Sequence, residues 1–353
     1  MDKSLQVISM YMLVHIGLIF FLYPADIMES TVYGHWIPIS VGVIVHFLIV
    51  IVFMKGLSYF PGKDIISIYA NTGKMVVILF LIPIFFYFVM AIIISVRAYA
   101  EIIIIVFLSK TPLWSVMLLL LFSSCYLAVQ GVEAIFRTGY LTTFLFFPLV
   151  LFVLIISFQN VDWYNFYPAT VNDFSFLTKS SYLKSFFAIG GGFLFLGFIP
   201  PYFSFQRSKV IIAIAAIVPC FFLSVYIPIL TFGSSTASNF LFPFVMAIDA
   251  INITWFMFDR MTIFFMLSMI IFIMLFISLV LWKSARIVHY FLPTWKPAFI
   301  IIFISILIFI TCLFIPNWSD VDKLFEWNTV LRLYVLFTVP ISIIWIGMRK
   351  KNV

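Results

Sequence analysis

KSFFAIGGGFLFLGFIPP, residues Lys184–Pro201, is almost wholly apolar yet places three consecutive glycines, Gly190, Gly191 and Gly192, at its centre. Inside a helix each costs roughly 1 kcal/mol relative to alanine. Gly197 and the pair Pro200–Pro201 weaken the far end as well. If the helix opens there within hydrocarbon, it frees backbone N–H and C=O groups that lipid cannot satisfy. Two readings fit. One is an unwound segment whose backbone groups bind a ligand's carboxylate and amine. The other is close helix packing, which small residues permit.

The rest of the chain places this stretch in a bilayer. Of 353 residues, 65% are hydrophobic and only 9% are charged, against roughly a quarter charged in soluble domains. Mean hydropathy is +1.23. Apolar runs long enough to cross recur near 7–27, 36–54, 75–104, 112–130 and 141–158, then near 184–204, 210–232, 261–282, 297–315 and 330–348. The sequence therefore predicts an all-α polytopic membrane protein of about ten transmembrane helices. It reads as one transmembrane domain: a first repeat at about 1–158, an outside loop at 159–183 and a second repeat at about 184–348. The first run has no small-residue cleavage site behind it and is expected to stay as a helix.

With the N-terminus in the cytoplasm, thirteen basic residues fall inside: Lys3, Lys55, Lys63, Lys74, Arg137, Arg207, Lys209, Lys283, Arg286, Lys296, Arg349, Lys350 and Lys351. Six fall outside: Lys110, Lys179, Lys184, Arg260, Lys323 and Arg332. That excess is the one the positive-inside rule requires, so both termini are expected in the cytoplasm. It also accounts for the net charge of +7 without nucleic acid. The acids Asp26, Glu29, Asp162, Asp173, Asp249, Asp259, Asp320, Asp322 and Glu326 collect outside. Trp36, Trp114, Trp163, Trp282, Trp295 and Trp345 fall near helix ends, where the ring meets the lipid headgroups. In the outer loop after the seventh span, Phe240–Ala250 reads as a short helix lying along the surface.

Five and five spans suggest two inverted repeats, in which discontinuous helices meet at a midplane site. The first span carries His15-Ile16-Gly17 about nine residues in, with Pro24 further out. Its weak point matches Gly190–Gly192 in the sixth. Ionisable residues inside a membrane are functional candidates by default. His15 reads as a ligand or proton group, or as a histidine bonded to a neighbouring helix, and His46 reads as packing. Arg97 and Glu101, four apart on one helix face, form either a structural pair near the outer surface or a lid over an outward vestibule. Glu133 and Arg137 repeat the spacing at the inner end of the fourth span, as a clamp or inner gate. No catalytic motif appears, so no enzyme activity is expected. Cys125, Cys220 and Cys312 have no metal-site spacing, and neither metal nor cofactor is expected.

The order Arg97-x-x-x-Glu101, Thr111-Pro112-x-Trp114, Gly131-x-Glu133-x-x-x-Arg137 resembles the endospore germination permease family, the B-type subunits of nutrient germinant receptors. Length, ten spans, Pro24 at the end of the first and the glycines of the sixth extend the resemblance over nearly the whole chain. The family is in turn similar to the amino acid–polyamine–organocation transporters, with five-plus-five inverted repeats and broken helices one and six. The resemblance implies a protein of the spore inner membrane, in contact with membrane lipid, working with an A-type subunit and a C-type lipoprotein. It implies that an amino acid or similar small germinant binds at Ile16, Gly17, Gly190, Gly191 and Gly192, with side chains from spans three and eight. Ser268 and Phe272 are the candidates in the eighth, placed by depth alone with no motif behind them. Leu18-Ile19-Phe20-Phe21 stands where relatives often have smaller residues, so a weaker first break and a larger or less polar germinant are expected. A proton-coupled amino-acid transporter and a scaffold subunit with a vestigial pocket are the competing readings.

Overall fold

The computed structural model describes residues 3–169, 174–201, 203, 206–251 and 261–351; Asp173, Asp259 and Arg260 of the charge count lie outside them. The first span is two helices, α1 (Lys3–Ile19) and α2 (Tyr23–Ser30), bent by 55° at the intervening residues. Pro24 explains the position. It has no N–H for the Phe20 carbonyl, and its ring would strike that carbonyl in a continuous helix. It is tolerated only in the first turn of a new helix, where it stands. The break therefore falls at Phe20–Leu22, three residues beyond Gly17, and bulky residues do not prevent it.

The chain continues through α3 (Trp36–Leu57), the short α4 (Ile65–Ala70), α5 (Lys74–Val106), α6 (Leu113–Val129) and α7 (Val132–Ile156). Gly131 turns the chain between α6 and α7 at φ 92°, a conformation that glycine adopts without strain, and α7 starts earlier than its apolar run. Three 3-10 turns lead to α8 (Ser180–Gly190). The helix stops at the glycine run, and a 3-10 segment at Phe193–Gly197 completes the sixth span. Next come α9 (Arg207–Phe232), α10 (Ser234–Ala237), α11 (Pro243–Asp249), α12 (Met261–Phe291), α13 (Pro297–Leu313) and α14 (Trp318–Lys351). The first turns of α14 carry an Asp320–Lys323 ion pair at 3.0 Å, so this helix runs well beyond its apolar portion.

Helices α3, α5, α7, α9, α12 and α14 are each long and apolar enough to cross a membrane. The α1–α2 pair crosses as one bent span, and α6 and α13 are apolar helices of 17 residues, near the lower limit for spanning. Among the described residues, α8 and its 3-10 continuation bring the apolar helical segments to ten. Lipid-facing stripes are visible at helical spacing. Phe299, Ile302, Ile306 and Ile310 on α13 are exposed, as are Leu141, Phe144 and Leu145 on α7, while the opposite faces are buried.

α12 is the central post, packed on α1, α5, α6, α7 and α13; α14 packs on α3, α5 and α8. Two basic residues assigned to loops are in fact interior. Lys283 of α12 is buried with Nζ 4.1 Å from the centre of the Phe88 ring. Arg332 of α14 is fully buried and bonds Asn328, Thr329 and the Leu183 carbonyl. The expected surface helix also behaves differently. α11 covers Pro243–Asp249 and is largely buried against α9, α12 and α2, because Phe244, Val245 and Ile248 give it an apolar side that must be covered.

Candidate functional site

The two interrupted spans meet at their weak points. The His15 ring of α1 lies over Gly192: a Cβ placed on that glycine would meet His15 Cε1 at 2.5 Å and Val14 at 2.8 Å. At Gly191 a Cβ would meet Leu18 at 2.8 Å and the Phe187 carbonyl closer still. Gly190 faces Leu336 of α14. Gly17 lies against Phe272 of α12: a Cβ placed on it would stand 3.1 Å from Phe272 Cβ. Close packing and backbone interruption, offered as alternatives, are thus both realised in the glycine run.

The freed backbone of helix one is used at once. An N–H four residues on would normally bond the Gly17 carbonyl, but α1 has ended by then. The hydroxyl of Tyr99 on α5 donates to this carbonyl instead, and the Tyr99 ring stacks on Phe21 with centroids 4.1 Å apart. Tyr99 was not singled out from sequence, although it sits two residues after Arg97, a polar-tipped aromatic in an apolar helix.

A polar cluster adjoins the break. The Tyr11 hydroxyl and His46 Nε2 share a hydrogen bond of 2.7 Å, and the Tyr11 carbonyl lies 2.8 Å from His15 Nδ1. A carbonyl only accepts, so His15 donates through Nδ1 and its Nε2 keeps a lone pair. That Nε2 is buried with no partner. The His15 and His46 rings meet edge to face at 5.2 Å. His46, read as packing, is packed and hydrogen-bonded as well.

On the side away from the termini the break is covered by aromatic rings. Phe20 meets Phe244 of α11 at 4.6 Å and Phe265 of α12 at 5.5 Å. Phe21 meets Phe242 at 5.0 Å. On the terminus side, a cavity of about 390 Å³ is lined by Met54, Leu196, Ile199 and Pro200, the last three from the sixth span beyond the glycines. A second, of about 620 Å³, involves Asp64, Glu133 and Arg286. Arg286 closes onto Asp64 at 2.5 Å and onto the Phe198 carbonyl at 2.8 Å, tying α12 to the loop before α4 and to the sixth span.

The remaining candidates lie elsewhere. Ile16 is buried beside the break. Ser268 is buried and bonds the Phe264 carbonyl of its own helix at 2.9 Å, so its hydroxyl is already engaged. Arg97 is buried, paired with Glu101 and bonded to the carbonyls of Ile315 and Pro316 between α13 and α14. These bonds tie α5 to the connection between α13 and α14. Glu133 and Arg137 form an exposed pair at 3.5 Å. No three His, Cys, Asp or Glu side chains among the described residues are placed to hold a metal ion.

The first and sixth apolar spans are both interrupted and meet in direct contact beside the His15–Tyr11–His46 cluster, which defines the class of all-α membrane proteins with paired broken helices. Among solved structures, that of MhsT in complex with L-phenylalanine shares the fold, with a TM-score of 0.61 at 13% identity over 99% of this chain and 98% of that one. No curated protein matches by sequence. The chain belongs to the spore germination protein family, whose pattern it matches over residues 3–318.

Proposed function

We propose that the chain is the germinant-binding membrane subunit of a spore germination receptor and holds an amino acid or similar small molecule between the broken helices one and six. The observation that carries this is the meeting of His15 and Leu18 with Gly192 and Gly191: both interruptions present backbone and an unpaired imidazole nitrogen to one buried place. Charged ends of a zwitterion need such donors and acceptors once desolvated. Phe20, Phe21, Phe193 and Phe195 around the break are buried and favour an apolar ligand side chain. MhsT, the structural neighbour, was solved with L-phenylalanine, which supports an amino acid as ligand class. Membership of the germination family supports the spore inner membrane as location and A-type and C-type subunits as partners. The lysine and arginine excess supports cytoplasmic termini.

Binding acts as a signal when the ligand favours one conformation over another. Cavities on both faces of the break favour a second reading, proton-coupled uptake. The first test is the thermal stability of detergent-purified protein against amino acids, nucleosides and sugars, for wild type and Gly192→Val together. Position 192 is chosen because an added side chain meets side chains there, whereas at Gly191 it also meets backbone. A shift with one compound, lost in the variant, supports the site. No shift with any compound removes it from the isolated subunit. Concentrative uptake into proteoliposomes would move the assignment to transport.

A further inference from the structure

On the face away from the termini, α2, α8 and the first turns of α14 enclose a cavity of about 170 Å³ that includes Leu22, the last residue of the helix-one break. Three acids line it, Asp26, Glu29 and Asp322, with one base, Lys184. Lys184 is committed to Asp322, with Nζ–Oδ1 at 2.9 Å. The nearby Arg332 is also engaged: its terminal nitrogens bond Asn328, Thr329 and the Leu183 carbonyl. Asp26 is left over. It is only 7% exposed, and its Oδ2 is buried without a hydrogen-bond partner.

A carboxylate has only acceptor sites, and burying one unpaired is costly. Lys184 and Arg332 reach Asp26 through charge alone, so its Oδ2 remains open to a charged N–H donor. Trp318 and Phe325 line the same cavity, and the faces of aromatic rings attract cations. Carboxylate and aromatic rings together suit an ammonium head better than a neutral or anionic group. The volume suits a small one.

We propose that this cavity is a subsite for a primary ammonium group, docked on Asp26 Oδ2 between Trp318 and Phe325. It rests on the germinant-site reading for its role: a ligand's amino end is held here, next to Leu22, before the ligand passes to the break. Lys184 and Asp322 form the adjoining wall and remain paired with each other.

The probe is propylamine hydrochloride, added to the full-length protein in detergent at constant ionic strength, with sodium propionate and sodium chloride as counter-probes. Unfolding temperature is followed by tryptophan fluorescence. The wild type should be stabilised in a saturable way by propylammonium and by neither counter-probe. Asp26→Asn should raise the half-saturating concentration by about tenfold or more, the usual size of a lost charge-assisted bond. Asp26→Glu should retain most of the effect. Should Asp26→Asn not fold, Trp318→Leu carries the test and must weaken binding severalfold. Gly192→Val, which fills the break, should leave the propylammonium response in place. The subsite is overturned by no response, by an equal response to sodium chloride, or by a response indifferent to Asp26→Asn and Trp318→Leu. A response that survives Asp26→Asn but disappears in Gly192→Val would put the ammonium at the break, sinking the subsite and leaving the break site standing.

Discussion

The imidazole of His15 occupies the space that a side chain at Gly192 would need, with Cε1 2.5 Å and Nδ1 2.9 Å from where its Cβ would stand. The two residues come from the two broken spans, so this contact couples one interruption to the other. Gly192→Ala should destabilise the protein by about 1–3 kcal/mol, the usual cost of overpacking. His15→Ala makes room, so the double variant should be more stable than the sum of the single effects by about 1 kcal/mol or more. Equilibrium unfolding of the four proteins measures this, and strict additivity would show that the ring does not lie on the glycine.

Tyr99 fixes the broken end of helix one, because its hydroxyl takes the carbonyl of Gly17. Tyr99→Phe keeps the stacking on Phe21 and removes only this bond. We expect a loss of about 1–2 kcal/mol, as for a buried acceptor left unmade. Any ligand response at the break should weaken together with it, because the unwound carbonyl then loses its fixed orientation. An unchanged ligand response would separate Tyr99 from the site.

Much of this arrangement was legible in the sequence, and what was missed has a physical cause. Ten apolar runs fix ten crossings because hydrocarbon admits so few charges. Gly190–Gly192 marked the second interruption because glycines weaken a helix wherever they occur together. The first was placed at Gly17 and lies at Phe20–Leu22, since Pro24 acts four residues upstream of itself and outweighs one glycine. Side chains that work across helices were out of reach. Nothing local tells that Tyr99 finds Gly17, that Lys283 lies on Phe88, or that Arg332 is an interior residue. The aromatic cover from Phe242 and Phe244 likewise depends on α11 turning inward.

Two ion pairs with identical spacing should behave differently. Arg97–Glu101 has a buried arginine that also holds the Ile315 and Pro316 carbonyls, whereas Arg137 and Glu133 are 67% and 48% exposed. Glu133→Gln should cost less than about 1 kcal/mol and respond to salt. Glu101→Gln leaves a buried guanidinium short of its counter-charge and should cost several-fold more, with Glu101 itself partly open to water. Equal effects in thermal unfolding would remove the tie between α5 and the α13–α14 loop.

The loop between α2 and α3 gives an acid-sensitive element outside the spans. His35 precedes α3, is 3% exposed, and its Nε2 has no partner. Burial pushes its pKa down to about 4, from an ordinary value of 6.5, against a smaller opposing effect of a backbone bond at Thr31. The folded form therefore keeps His35 neutral while the unfolded chain protonates it near 6.5. Above that pH neither state binds the proton, and this position's contribution is fully present. As pH falls below it, the unfolded state takes up a proton that the folded state refuses, and stability is lost until about pH 4. The total is on the order of 3 kcal/mol. His35→Gln should flatten that part of the profile, so the stability difference between wild type and variant should change between pH 7 and 4 and stay constant above 7. A difference that does not vary with pH would mean that His35 is protonated as readily in the folded protein as in the unfolded chain.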